Sequence, residues 1–401
     1  MVREGAPPFW SADRLDTRMR QGRLGPEQLR SVARALAAFH ADARCDAEVA
    51  DHGTEEALAR RVRERWAALR AVWPAGLDGG RLAEMEDQQL RLVELLSERI
   101  RARADSGRVR EGYGGLRLER VFVDAGSHTA WIPPQGDLGS RAADVCADVA
   151  CLTRQLALNG RRDLAERWVS AYADAAQDYE IYRLLEFYEG IAAPTLAEEI
   201  ARGGDDEPYP RDVEHRLRAA LAVGRAAVPP ARILVFGGPQ AAGKSTLAER
   251  IASELRAPVI SARRACDERE VIRRVEAVLD SRRPAVVDGG FRSPVDRAAL
   301  RAVAAACGVP FLFVECRAEE GLLRRRIQRR VATKELDARL PAAPGESGER
   351  WEPVDELPPE AHVVVDTAKH PEGNAALVRR TLGAATRVHP TRTHSHQISA
   401  S

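Results

Sequence analysis

The chain has 401 residues, a formal net charge of +1 at pH 7 and an apolar fraction of 44%. This length allows two domains or slightly more. The charge lacks the basic excess of a dedicated nucleic-acid binder, and an aromatic fraction of 5% offers no stacking platform for bases. No apolar run approaches the roughly 20 residues of a membrane span, and the N-terminus lacks the apolar centre of a secretory signal. We therefore expect a soluble cytoplasmic protein that binds neither a membrane nor nucleic acid.

Helical periodicity dominates the first half of the chain. Apolar residues recur three and four positions apart along several stretches within residues 24–103, and again within residues 142–192. A short hairpin-like segment, residues 116–132, lies between them. We predict a mostly α-helical domain over residues 1–200.

The composition changes after this domain. Residues 201–230 are polar and rich in glycine and proline around one helix, which predicts a linker. Beyond Pro230, short β-rich runs alternate with helical stretches, which indicates a parallel sheet with helices on both faces. The β-rich runs are ILVF (233–236), PVI (258–260), AVVD (285–288), FLFVE (311–315) and HVVVD (362–366). We predict an α/β domain over residues 231–385 and a disordered tail over residues 386–401.

The strongest local signal is ILVFGGPQAAGKSTLAER, residues 233–250. It contains G-x-x-x-x-G-K-[ST], the Walker A or P-loop pattern, between an apolar strand and a helix-forming run. Glycines let successive N–H groups point at phosphate oxygens, the lysine reaches the β- and γ-phosphates, and the serine hydroxyl ligates Mg²⁺. We therefore predict that the loop binds ATP with Mg²⁺, and the alternative is a glycine-rich turn that binds nothing. The predicted binding residues are Gly238, Pro239, Gln240, Ala241, Ala242, Gly243, Lys244, Ser245 and Thr246.

An aspartate ends the predicted strand AVVD. Asp288 is placed to hold a Mg²⁺ ligand or to accept a proton from an attacking hydroxyl, so we predict metal-binding and catalytic roles for it beside Ser245 and Lys244. The alternative is an ordinary turn residue before Gly289 and Gly290.

Arginines are the remaining candidates. The helix that precedes the candidate lid at 341–349 carries five of them, and Arg326 and Arg330 share a face by their i,i+4 spacing. We predict that these two stabilise charge on the transferred phosphoryl group, and that most of the others are solvated. Arg292 and Arg297 could bind an anionic acceptor, with plain surface charge as the alternative.

Residues 232–383 resemble the AAA_33-type P-loop small-molecule kinases, a group that includes gluconate-kinase-like, chloramphenicol-phosphotransferase-like and zeta-toxin-like proteins. The resemblance lies in FGGPQAAGKSTLAERIASEL, in residues 286–330 and in WEPVDELPPEAHVVVDT. It implies a P-loop NTPase fold with the phosphate site on Lys244 and Ser245 and the strand-end acid on Asp288. The family usually has an aspartate after its second strand, but Arg263 stands near that position here, and Asp267 could compensate.

Residues 1–200 resemble the helical lobe of an aminoglycoside-phosphotransferase-like domain, on RLDTRMRQGRLGPEQLRSVARALAAFHADA and RAADVCADVACLTRQLALNGRRDLAERWVSAYADA. Relatives carry H-G-D-L-H-x-x-N between these segments, where this chain has YGGLRLER with Gly115 and Arg120 in place of the base and the metal ligand. The resemblance implies a catalytically dead, pseudokinase-like domain without the ATP-binding β-rich lobe. Asp144 and Asp148 match the family and are expected to be helix caps or internal hydrogen-bond acceptors.

Three functions remain open from the sequence. The leading one is an ATP-dependent kinase that transfers the γ-phosphoryl group to an unknown small-molecule hydroxyl acceptor. The second is a nucleotide-gated regulatory or binding ATPase, with a protein partner on the N-terminal helical domain. The third, a kinase acting on nucleic-acid ends, lacks a basic or aromatic surface to support it.

Overall fold

The computed structural model describes residues 13–74, 77, 79–124, 128–202, 213–222, 230–332 and 351–388. The predicted lid at 341–349, part of the predicted linker and residues 389–401 of the predicted tail lie outside this range. The chain divides into two compact units, Met1–Ala226 and Ala227–Ser401.

The described part of the first unit is mostly helical. Its helices are α1 (Leu15–Arg20), α2 (Pro26–Asp42), α3 (Ala47–Ala50), α4 (Glu55–Val72), α5 (Gly80–Leu95), α6 (Ser97–Asp105), α7 (Leu138–Arg141), α8 (Cys146–Leu158), α9 (Arg162–Ala176), α10 (Ile181–Arg202) and α11 (Val213–Leu221). Its strands are β1 (Asp13–Arg14), β2 (Val109–Glu111), β3 (Val121–Val123), β4 (Thr129–Trp131) and β5 (Ala142–Asp144).

Helix α8 is the centre of this unit. Residues 146–156 are all buried, because the helix is apolar or hydrogen-bonded on every side. It packs against α9 and α10, while α10 also packs against α4 and α2 against α9. Strands β3 and β4 pair antiparallel, so the predicted hairpin within residues 116–132 is confirmed.

The second unit alternates strands with helices. Its elements are β6 (Ile233–Gly237), α12 (Lys244–Leu255), β7 (Val259–Ser261), α13 (Glu268–Asp280), β8 (Ala285–Asp288), α14 (Pro294–Ala306), β9 (Phe311–Arg317), α15 (Glu320–Ala332), β10 (His362–Asp366) and α16 (Pro371–Val388).

The strands of the second unit form one five-stranded sheet in the order β10-β9-β6-β8-β7. Every neighbouring pair is parallel, as the sequence predicts, and the arrangement fits a P-loop NTPase fold. Strand β6 lies in the middle of the sheet, with β7 and β8 on one side of it and β9 and β10 on the other. The direction in which strands are added therefore reverses at β6. Loops after the carboxyl ends of strands at such a point form a natural ligand crevice.

One face of this sheet forms the core shared with α12 and α16. Leu234 and Phe236 of β6 and Val314 and Cys316 of β9 point into it. Helix α16 contributes Ala375, Val378 and Leu382, which lie three and four residues apart. The helix ends at Val388, past the predicted domain end at residue 385. Within the described residues of both units, no helix combines the length and apolar character needed to cross a membrane.

Candidate nucleotide site

The glycines of the loop between β6 and α12 leave its backbone N–H groups accessible to a ligand. Gly238 has φ of +138°, and a Cβ there would lie 2.3 Å from the carbonyl oxygen of Cys316. Gly243 has φ of +80° at the N-cap of α12, and Ala241 between them adopts φ of +61°. Only a residue without a side chain fits at Gly238, so the first glycine of the motif is needed for both its dihedral angle and the close approach of β9.

Lys244 is the first residue of α12 and is 8% exposed. Its Nζ donates a hydrogen bond to the carbonyl of Pro239 at 2.8 Å, so the ammonium group curls over the loop. Burial lowers the pKa of Lys244 to about 8; nearby Asp288 opposes the shift, and Arg263 and Arg292 add to it. Burial and neighbouring cations disfavour the charged form of an amine, and a bound phosphate stabilises that form.

Ser245 and Asp288 meet beside the lysine. The Ser245 hydroxyl donates to Oδ2 of Asp288 at 2.6 Å, while Oδ1 of Asp288 is buried and has no hydrogen-bond partner among the described residues. Since the serine proton points at the carboxylate, the serine oxygen keeps its lone pairs for a cation. Mg²⁺ prefers such oxygen ligands, so these two residues fit the metal that the motif implies.

A first cavity, of about 530 Å³, opens on the α12 and α15 side of the loop and is called here the Thr367 cavity. Arg326 reaches across it: Nη1 donates to the carbonyl of Ala241 at 3.3 Å and to Oγ1 of Thr367 at 3.1 Å, and Nη2 donates to the carbonyl of Thr367 at 2.9 Å. Arg330 lines the same cavity, so Arg326 and Arg330, which were predicted to share a helix face, lie beside one cavity. Thr246 and Arg250 of α12 line it as well.

A second cavity, of about 710 Å³, opens beside Gly238 and Lys244 and is called here the Arg263 cavity. It lies at the carboxyl ends of β7 and β8. The residues that line it are Gly238, Gln240, Lys244, Arg263, Gly290, Phe291, Arg292, Ser293, Asp296 and Glu352. The P-loop therefore borders two cavities, and Lys244 faces the second.

The structure corrects the prediction for Arg297. Its side chain is 0% exposed, donates to the carbonyls of Phe291, Arg292 and Pro353, and forms an ion pair with Glu356. Such a side chain can neither reach a bound acceptor nor serve as surface charge. The sequence could not show this because the partners at 353 and 356 are more than fifty residues away.

Asp267, the acid that could have compensated for Arg263, is also a structural residue. Its Oδ1 accepts a hydrogen bond from the backbone N–H of Glu270 at 2.8 Å and so caps α13. It does not line the Arg263 cavity.

Several lining residues were missed by the sequence reasoning, among them Thr367 and Glu352. Thr367 directly follows β10, and Glu352 belongs to a segment that no regular pattern marks. The first could have been found from the rule that ligands bind beyond the carboxyl ends of parallel strands. Nothing in the local sequence indicates the second.

In the first unit, the loop that carries Tyr113 and Gly115 is tightly held. Asp148 of α8 accepts hydrogen bonds from the backbone N–H groups of Tyr113, at 3.0 Å, and Gly115, at 2.7 Å, and from His40. Asp144 accepts from Arg103 and from the N–H of Cys146. Both aspartates are internal hydrogen-bond acceptors, as predicted.

Comparison with known proteins places one family on the second unit. Residues 233–350 match the AAA domain family AAA_33. No curated protein matches the chain. Together with the P-loop geometry, the family match supports an enzyme of the ATP-dependent phosphotransferase or ATPase type.

Solved structures of kinases are also similar to part of the chain. The APS kinase of Mycobacterium tuberculosis, solved with AMPPNP and APS, is 20% identical and covers 39% of this chain and 99% of its own, with a TM-score of 0.32. A gluconokinase of Sinorhizobium meliloti is 22% identical and covers 40% of this chain and 94% of its own, with a TM-score of 0.30. These values are too low to transfer a function.

Proposed function

We propose that the second unit binds ATP with Mg²⁺ at the P-loop and transfers the γ-phosphoryl group to a hydroxyl of a small molecule. The observation that carries this proposal is the cluster at the carboxyl edge of the sheet: a buried lysine, and a serine hydroxyl 2.6 Å from a carboxylate whose second oxygen has no partner among the described residues. A turn that binds nothing has no need of these three groups in one place.

Each residue has a chemical task in this proposal. The backbone N–H groups of residues 240–244 and the N-terminus of α12 bind the phosphates, since both present positive partial charge to them. Lys244 exchanges its bond to the Pro239 carbonyl for a phosphate oxygen. Arg326 and Arg330, on the Thr367 cavity, stabilise charge on the phosphoryl group or on the leaving diphosphate. When bound through Ser245 and Asp288, Mg²⁺ neutralises phosphate charge.

The proton and the phosphoryl group move in opposite directions. The acceptor hydroxyl gives its proton to Oδ1 of Asp288 as its own oxygen forms a bond to the γ-phosphorus. Oδ2, on the Ser245 side, is the oxygen that would hold Mg²⁺. The bond from the γ-phosphorus to the β,γ-bridging oxygen breaks, and ADP carries that electron pair away. The acceptor approaches from the Arg263 cavity, because that cavity contains Lys244 but is separate from the Thr367 cavity.

The proposal is tested by coupled ADP release with Mg-ATP and panels of sugars, nucleosides and antibiotics. We expect stimulation by an acceptor that Lys244→Ala abolishes and that Arg273→Ala, an exposed change on α13, leaves intact. Nucleotide binding with no stimulation by any acceptor would instead favour the nucleotide-gated regulatory ATPase.

We further propose that the first unit is a degenerate phosphotransferase-like domain without activity of its own. Phosphoryl transfer needs a metal ligand and a group that orients the nucleophile. Gly115 has no side chain and Arg120 cannot ligate a cation. Gly115 also has φ of +146°, so an aspartate restored there would be strained.

The double variant Gly115→Asp, Arg120→Asn tests this second proposal in a Lys244→Ala background. We expect no phosphotransferase activity, since an aspartate at residue 115 would be strained at a φ of +146°. ATP-dependent phosphorylation by that variant would contradict the assignment. Lys244→Ala alone serves as the matched background.

A further inference from the structure

The Arg263 cavity is built on a rigid frame. Buried Arg297 donates hydrogen bonds to the carbonyls of Phe291 at 3.1 Å and Arg292 at 3.0 Å on one wall, and to the carbonyl of Pro353 at 3.0 Å on the other. Its guanidinium also lies over the rings of Phe313 and Trp351, 5.6 and 5.7 Å from their centroids. These contacts fix residues 351–356, here called the strap, against the loop that follows β8.

The strap is hydrogen-bonded to the cavity lining. The N–H of Glu352 donates to the carbonyl of Arg292 at 3.1 Å, and both residues line the cavity. Arg297 forms its ion pair with Glu356 of the same strap. The cavity is therefore preformed by contacts that need no ligand, and preformed sites bind with less ordering cost.

Two arginines bring positive charge to this cavity from neighbouring strand ends. Arg263 follows β7 and Arg292 follows β8, and β7 and β8 are paired. Arg263 is exposed, and it has no hydrogen-bond or ion-pair partner within the part of the chain that the structure describes. Both guanidinium groups lie near enough to Lys244 to lower the pKa of its ammonium group.

The two acidic residues of the lining, Asp296 and Glu352, lie in other parts of the cavity wall. Asp296 is committed to the start of α14: its Oδ2 accepts from the N–H of Ser293 at 3.3 Å, and its own N–H donates to the Ser293 hydroxyl at 3.2 Å. Glu352 lies on the strap, the wall that Arg297 holds. The exposed guanidinium of Arg263 thus gives this wall a positive charge, and Arg292 follows the neighbouring strand β8.

We propose that the acceptor carries an anionic oxygen group, a phosphate or carboxylate, which Arg263 and Arg292 hold in the Arg263 cavity. The acceptor hydroxyl then faces Lys244, which lines this cavity and has Asp288 nearby. Guanidinium groups bind such oxyanions with paired, charge-assisted hydrogen bonds, and two of them would fix both the position and the orientation of the acceptor. This inference rests on the proposed function and adds the acceptor class to it.

The test separates the cavity from the P-loop by filling the P-loop first. Full-length protein is saturated with Mg-AMPPNP, and binding of that nucleotide is measured by calorimetry. Methyl phosphate and acetate are then titrated as anionic probes, followed by phosphorus-31 and proton line widths, with methanol as the neutral probe. We expect saturable binding of at least one anion and none of methanol.

The double variant R263Q/R292Q is expected to weaken anion binding by about ten- to a hundredfold, the effect of losing charge-assisted hydrogen bonds. The variant R269Q/R273Q removes the same charge from the exposed face of α13 and is expected to bind like the wild type. Both variants should still reach saturation with AMPPNP, which shows that the fold and the P-loop are intact, and anion binding is compared at saturating nucleotide.

The results distinguish failure of the proposed nucleotide site from failure of the proposed anionic acceptor. Absence of AMPPNP binding would contradict the proposed function itself. AMPPNP binding with no anion binding, or with anion binding that R263Q/R292Q leaves unchanged, would overturn the anionic acceptor while leaving the nucleotide site in place. Preference for methyl phosphate over acetate, or the reverse, identifies which oxyanion the cavity takes.

Discussion

Lys244 is a titrating group near neutral pH, because burial lowers the pKa of its side chain to about 8. Phosphate binding requires the charged form, so a bound nucleotide must raise this pKa. In the free protein the lysine is mostly charged at pH 7 and mostly neutral at pH 9. Nucleotide binding above pH 8 therefore takes up a proton.

We expect the affinity for Mg-AMPPNP to fall by about tenfold between pH 7 and pH 9, as the free lysine loses its proton. Calorimetry in buffers of different ionisation enthalpy measures the proton uptake directly. Lys244→Arg removes the titration, since arginine stays charged throughout, and its affinity should be flat over the same window. An equal pH slope in both proteins would contradict the assignment to Lys244.

Asp288 is the proposed base, and a neighbouring acid allows a matched comparison. Asp288→Asn should lower kcat by about 10²- to 10⁴-fold, the usual effect of losing a general base, while metal-free nucleotide binding is retained. Asp267→Asn should keep near-normal kcat, because asparagine caps a helix as well as aspartate does. The reverse ranking would place the base at Asp267.

Residues of the candidate site could be located from the sequence where the pattern is local. Lys244 and Ser245 belong to a contiguous motif, and Asp288 ends a recognisable strand. Arg297 was assigned wrongly because burial depends on distant partners. Arg263 appeared only as a departure from a resemblance, and its place in a cavity needs the pairing of β7 with β8.

At the scale of elements, the β6–loop–α12 unit depends on the backbone of its first glycine. Gly238→Ala would place a methyl group 2.3 Å from the Cys316 carbonyl at a φ of +138°, so the loop or β9 must move. We expect Mg-AMPPNP binding to be lost or weakened at least about a hundredfold, because the N–H groups no longer converge on the phosphates.

Gly308 supplies the control, as it has φ of +64° with nothing within 4 Å of an added Cβ. Gly308→Ala should cost about 1–2 kcal/mol of stability from its dihedral angle alone and leave nucleotide binding unchanged. Normal binding by Gly238→Ala would show that the close approach to β9 is not required.

The elements themselves were well indicated by the sequence in the second unit. Strand positions and parallel pairing followed from alternation of short β-rich runs with helices. Helix α16 continues to Val388, past the predicted boundary at residue 385, because residues 384–388 contain no glycine or proline that would end it. The strap was not foreseen, since it is held by side-chain contacts of Arg297 and not by a backbone pattern.

Another element-scale prediction concerns the buried ion pairs of the first unit. Arg103 of α6 is 6% exposed and bridges Asp144 and Asp178 at 2.7 and 2.8 Å. Arg103→Met leaves two buried carboxylates without their cation and should cost about 3–5 kcal/mol of unfolding free energy. Arg101→Met, which loses only an exposed pair with Glu55, should cost less than about 1 kcal/mol. Urea denaturation measures both, and equal costs would contradict a stabilising role of the buried cluster.

At the scale of the whole molecule, the second unit has the proposed nucleotide site, and in the first unit hydrogen bonds hold the loop of residues 113–115. Asp148 occupies the N–H groups of Tyr113 and Gly115 in the first unit, whereas the loop of the second unit borders two cavities. The protein should therefore bind one nucleotide per chain.

Calorimetric titration of the full-length protein with Mg-AMPPNP tests this most directly. We predict a stoichiometry of one per chain in the wild type, and an affinity at least about tenfold weaker in Lys244→Ala. A stoichiometry of two, or unchanged binding by Lys244→Ala, would contradict the account.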